Sequence, residues 1–163
     1  MEFSIQFSDN TGKLVLAIDE VDEKTILEDS EIEAFRPCKV FEVNLKREAQ
    51  GTSTPFSAFS DLSGILFGFL DSNPNSIIYF YCDDFSPIPH SRHECKPQEY
   101  RSILFSKLFD KEVRKRGCCD FVNNRYVFKL ERAEGDAILH IIFHRDVQPK
   151  ADILQDAFDK LKK

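Results

Sequence analysis

Phe3, Ile5 and Phe7 alternate with Ser4, Gln6 and Ser8, and after Asp9-Asn10-Thr11-Gly12 the residues Leu14, Leu16 and Ile18 resume the same two-residue period. A period of two lines one face of a strand, and turn-forming residues between two such runs predict an N-terminal hairpin. Val40 to Lys46 alternates again, with Phe41, Val43 and Leu45 inward and Glu42, Asn44 and Lys46 outward, which predicts a third antiparallel strand. Ile77 to Cys82 reads IIYFYC, apolar or aromatic nearly throughout, as expected of a central strand covered on both faces. Further on, Phe121-Val122, Asn123-Asn124 and Arg125 to Glu131 read as a hairpin with a short extra strand near Phe121, and Ala137 to His144 reads as the last strand.

Three stretches carry helical spacing instead. From Phe59 to Leu70 the residues Leu62, Ile65, Leu66, Phe69 and Leu70 make one face, Ser60 or Asp61 is placed to cap, and Asn73-Pro74-Asn75 ends the run. Gly64 and Gly68, four apart on this helix, read as a site of close packing against the sheet. A second helix begins at Pro97, carries Tyr100, Ile103, Leu104 and Leu108, and stops at Gly117 after a basic last turn. Pro149 opens a third, striped by Ile153, Leu154, Ala157, Phe158 and Leu161.

The resulting expectation is α+β: one domain over residues 1–163, a mainly antiparallel twisted sheet of five or six strands with three helices, in the order β-β-β-α-β-α-β-β-α. A chain of 163 residues with 16 Phe, one Met and no Trp has the size and the apolar content for a single core built on Phe, Ile, Leu and Val. No run approaches the ~20 apolar residues of a membrane span, and the N-terminal residues lack the pattern of a signal peptide. The expected location is the cytoplasm. Five cysteines at irregular spacing argue for reduced thiols rather than a disulfide framework.

Charge changes the picture more than composition does. Asp19 to Glu33 holds eight carboxylates and one lysine, net −7, in a chain of net charge −6, so the rest is close to neutral. With its few apolar residues this stretch reads as an exposed acidic connection at 19–33 containing at most one helical turn, Ser30 and Glu33 having the spacing of a capping box. A concentrated negative field steers association with a basic protein surface and repels nucleic acid. Asp22, Glu23, Glu28 and Asp29 are therefore the expected partner-binding residues. Lys111, Arg114, Lys115 and Arg116 lie where the helix dipole favours cations, and no aromatic-basic stripe accompanies them.

Candidate chemistry gathers after the central strand. Asp83 and Asp84 follow Cys82, and the irregular segment beyond carries His90, His93 and Cys95. Cys95 stands just before a helix start, where a thiolate is favoured, so Cys95 with His93 and the acidic pair outlines a cysteine-based or metal-dependent enzyme as the alternative to a binding module. His90, His93 and Cys95 are zinc-type ligands without the paired spacing of structural zinc sites, which makes zinc the alternative to no cofactor. His140 and His144 share one side of their strand about 13 Å apart, too far for one metal, and read as ordinary face residues.

Tyr81-Cys82-Asp83, followed by Arg101, Leu104, Phe105 and Phe109 on the next helix, resembles a small bacterial family of domains of unknown function. In that family an apolar strand ends in Tyr-x-Cys-Asp or a close variant and a helix with Arg-x-x-Leu-Phe follows. The chain departs from the pattern in its longer loop from Phe85 to Pro97 and in Leu108, where an aromatic is expected. The resemblance implies the strand-to-helix order and a pairing of Arg101 with Asp83 or Asp84, and it brings no activity. The expected function is a non-catalytic protein-interaction module, an accessory or neutralising partner of a basic protein in a bacterial system.

Overall fold

Ile77 and Ile78 are adjacent in one strand and both fully buried. Successive strand side chains point to opposite faces, so the sheet that contains them is covered on both sides. The computed structural model describes residues 4–8, 14–47, 56–82, 97–117, 120–129 and 136–161. Six strands, β1 (Ser4–Ser8), β2 (Leu14–Val21), β3 (Lys39–Arg47), β4 (Ser76–Cys82), β5 (Phe121–Lys129) and β6 (Asp136–His144), form one sheet in the order β1-β2-β3-β4-β6-β5. Its helices are α1 (Asp29–Phe35), α2 (Phe56–Ser72), α3 (Pro97–Arg116) and α4 (Gln148–Leu161), with single 3₁₀ turns at Glu23–Thr25 and Arg145–Val147.

The fold is α+β, and the described residues form four helices rather than three and a mixed sheet. β3 runs parallel to β4, with Val40 opposite Ile77, while the other four pairings are antiparallel. The parallel pair follows from the connection: α2 carries the chain back across the sheet, as a parallel crossover requires. The element order is β-β-α-β-α-β-α-β-β-α. The inserted helix is α1, inside the stretch expected to be an exposed connection.

Side-chain alternation sorts the core into two layers. Leu16, Ile18, Phe41, Val43, Ile78, Phe80, Ile138 and Ile142 meet α2 and α3 through Leu66, Phe67, Leu70 and Phe109. Val40, Ile77, Leu139, Ile141 and Phe143 meet α1 and α4 through Ile32, Phe35, Ala151, Leu154 and Ala157. Aromatic edges fill the first layer, where Phe67 packs against Phe109 and Phe121 with ring centroids 5.1 and 5.0 Å apart.

Several local expectations change. Asn123-Asn124 is no turn: β5 is one continuous strand paired with β6 from Phe121↔His144 to Lys129↔Asp136. Ser60 and Asp61 lie inside α2, which starts earlier, at Phe56. Asn73 closes that helix, its side-chain amide donating to the Phe69 carbonyl at 2.9 Å. A Cβ added at Gly64 would meet Glu112 of α3 at 3.8 Å, and one at Gly68 would meet nothing within 4 Å, so neither glycine marks a tight approach to the sheet. On α3, Ile103 faces outward, 38% exposed, while Ser102, Leu108, Phe109 and Glu112 are buried. Gly117 stands at φ 64°, the left-handed geometry that ends a helix best with glycine.

Candidate functional site

The acidic segment is part of the folded body. Asp19, Glu20 and Val21 belong to β2. Leu27, Ile32 and Phe35 are buried, and burying three such side chains contributes several kcal/mol, on the order of 2 kcal/mol each. α1 forms because Ile32 and Phe35 are three apart on one helical face and because its start is capped. The cap is Glu28 rather than Ser30: its side chain takes the backbone N–H three residues on, and the Glu28 N–H donates to Glu31 Oε2 at 2.9 Å.

Several of these carboxylates have internal partners. Asp22 caps the first 3₁₀ turn, accepting from the Lys24 N–H at 3.1 Å. Glu20 pairs with Lys39 at 3.0 Å and Glu23 reaches Arg36 at 3.9 Å. Glu31 accepts from Lys160 of α4 at 2.8 Å, and this bond holds its carboxyl below the ordinary value. Of the four expected partner-binding residues, Asp22, Glu23 and Glu28 thus also organise their own segment, and Asp29 is exposed on the first turn of α1.

The same layer carries a second acidic group that the sequence reading missed. Asp152, Asp156 and Asp159 of α4 are exposed, and steps of four and three put them in one stripe along the helix. The stripe runs beside Tyr126 of β5, whose hydroxyl is pushed up to about 12, first by burial and then by these three carboxylates. The other flank of α4 turns to α1: Lys150 donates to the Ala34 carbonyl and Lys160 to Glu31. The available signal was the spacing of the three aspartates against the apolar stripe of α4.

A buried polar chain lies on the opposite face of the sheet. His140 and Ser102 are fully buried, with His140 Nε2 and Ser102 Oγ 2.8 Å apart. His140 Nδ1 is 2.8 Å from Asn123 Oδ1, and Arg125 Nε donates to Ser102 Oγ at 2.8 Å. The donors and acceptors fix the order. Asn123 Oδ1 can only accept, so Nδ1 carries the imidazole proton, leaving Nε2 to accept the Ser102 O–H while Ser102 accepts from Arg125. Burial first, and then the Arg125 charge, lower His140 to about 4, so the imidazole is neutral near pH 7.

His140 is therefore no ordinary face residue. Hydroxyl, imidazole and amide follow one another in the order of a nucleophile, a base and an orienting group. Both Ser102 and His140 are sealed from solvent, however, so the hydroxyl is not open to a substrate in this conformation, and the chain joins α3, β5 and β6. His144, on the same face, packs on the edge of Phe121 at 5.6 Å and accepts from the Asp146 N–H.

Asp83, Asp84, His90, His93 and Cys95 lie outside the described residues, as do Cys118 and Cys119. Cys82 ends β4, and Cys38 is a buried free thiol whose pKa burial raises. Among the described residues no three His, Cys, Asp or Glu side chains come together as metal ligands would, and no helix is long and apolar enough to cross a membrane. At the end of α3, Arg116 pairs with both Asp71 and Glu112 and lies over the Phe67 ring, 5.4 Å from its centroid. That cation is thus held within the fold. No protein-family model matches the chain, and a search of the curated proteins found no match.

Proposed function

We propose that this chain is a non-catalytic protein-interaction module whose α1/α4 layer receives a basic partner protein, as an accessory or neutralising partner would. The observation that supports the reading is the placement of Glu28, Asp29 and Glu33 on α1 and of Asp152, Asp156 and Asp159 on α4. All six are exposed, on two helices packed together over one face of the sheet. A charged surface on a packed layer loses little conformational freedom on binding, and carboxylates of one sign steer a basic partner and fix its register.

Lys150 and Lys160 are turned to acceptors on α1 and offset part of this field, Lys160 interacting with Glu28 and Asp156 as well as with Glu31. Two cations against these six carboxylates and Glu31 leave the two helices net negative. Asp22 and Glu23 extend the acidic surface onto the turn before α1. The bacterial setting and the cytoplasmic location belong to the same proposal. The test is cross-linking in an extract of the native host through the exposed Lys24 and Lys160, followed by purification of the captured protein. The reading expects a basic protein joined at these lysines that binds the purified chain with salt-sensitive affinity. Cross-links confined to the α2/α3 side, or binding indifferent to salt, would refute it.

A further inference from the structure

Protonating His140 would bring two cations onto one hydroxyl. A proton on Nε2 turns that atom from acceptor to donor, so Ser102 Oγ would face an imidazolium N–H and the Arg125 Nε–H together, and its own O–H would lose its acceptor. The hydrogen bonds of His140 go to two neutral groups, Ser102 and Asn123. Among the described residues, the hydrogen bonds and charge contacts given for the ring include no carboxylate. Phe80 of β4 stands opposite it in the register, Phe105 of α3 packs on it at 5.0 Å, and Ile138 and Ile142 are its same-face neighbours on β6. From β5 the charged group is Arg125, opposite His140 in the pairing. Glu99 precedes Ser102 by one helical turn and Glu112 is bonded to Arg116.

We propose that the Ser102–His140–Asn123 chain is a proton-operated latch that docks α3 onto β5 and β6 when His140 is neutral and lets it lift when His140 takes a proton. The geometry carries the inference. One fully buried imidazole ties Ser102 on the helix to Asn123 on the edge strand, and a buried cation without an acidic partner is expensive where a neutral ring is not. Lifting α3 takes Ser102 away from both cations, hydrates the imidazolium and leaves Arg125 free to turn to water. Docking and protonation are therefore linked.

Amide hydrogen exchange, corrected for the intrinsic effect of pH, measures the latch directly. Between pH 7.5 and pH 5.0 the protection of α3 amides should fall on the order of 10- to 30-fold, the linkage expected when the docked ring titrates near 4 and the lifted one near 6.5, and α4 amides should fall less. His140→Gln keeps one acceptor for Ser102 and one donor for Asn123 but cannot take a proton, so its α3 protection should not respond to this change. Asn123→Asp supplies a carboxylate for the imidazolium and should shrink the fall at least threefold. Constant α3 protection in the unaltered protein, or an undiminished fall in Asn123→Asp, would overturn the proposal even if His140→Gln failed to fold.

Discussion

Glu31 of α1 and Lys160 of α4 form an ion pair of 2.8 Å across 129 positions of sequence. The pair ties the middle of the acidic segment to the end of the last helix and marks where the two helices of one layer meet. Glu31 also accepts the Glu28 N–H, so one carboxylate serves a helix start and a tertiary contact. Removing the two uses separately is informative. Glu31→Gln retains an acceptor for the cap and loses only an exposed ion pair, so the melting temperature should scarcely move. Glu31→Ala loses the cap as well and should cost about 1 kcal/mol, measured by urea unfolding.

Phe35 decides whether the acidic segment belongs to the core. It is fully buried among Ile32, Val40 and Leu154, so Phe35→Ala should destabilise the protein by about 3–5 kcal/mol. An exposed connection would tolerate the change within a few tenths of a kcal/mol. Chemical denaturation distinguishes the two outcomes.

Ser102→Ala leaves the buried Nε2 lone pair of His140 without a donor. Arg125 is exposed and can turn to water, so the loss falls on the imidazole and should amount to about 1–3 kcal/mol. Equilibrium unfolding at pH 7.5 is the measurement.

Global stability should also depend on pH through His140. Its folded value is lowered from 6.5 to about 4, so the unfolded chain takes the proton first. The contribution is fully present above about pH 6.5 and is lost as pH falls toward 4, the loss amounting to about 2–3 kcal/mol at pH 4.5. Urea midpoints should fall over that window, and His140→Gln should lack this component. Equal slopes in the two proteins would place the effect elsewhere.

Elements whose limits are set by local chemistry were legible in the sequence. Pro97 and Gly117 bound α3, the Asn73 turn ends α2, and the unbroken apolar run of β4 announced a strand buried on both faces. α1 was not legible because its seven residues hold only two buried side chains, Ile32 and Phe35, and what holds them is α4, over 100 residues away. Asn123-Asn124 has the composition of a turn, but the acceptor role of Asn123 comes from an imidazole on the neighbouring strand. His140 did carry a signal: its two-residue spacing from Ile138 and Ile142 put it on a buried face, and a buried imidazole needs partners. The parallel pairing of β3 with β4 left no mark in the alternation of β3, since strand direction is set by the α2 crossover.

The proposed interaction rests on the acidic α1/α4 layer, and the affinity of a captured basic partner tests it most directly. Replacing Asp22, Glu23, Glu28 and Asp29 with serine removes four charges while leaving serine, itself a good helix cap, at the two capping positions. At low salt the four-site variant should bind at least tenfold more weakly than the intact chain with its fold unchanged by circular dichroism, and the difference should shrink as salt rises. Equal affinity of the two proteins at low salt would contradict the account.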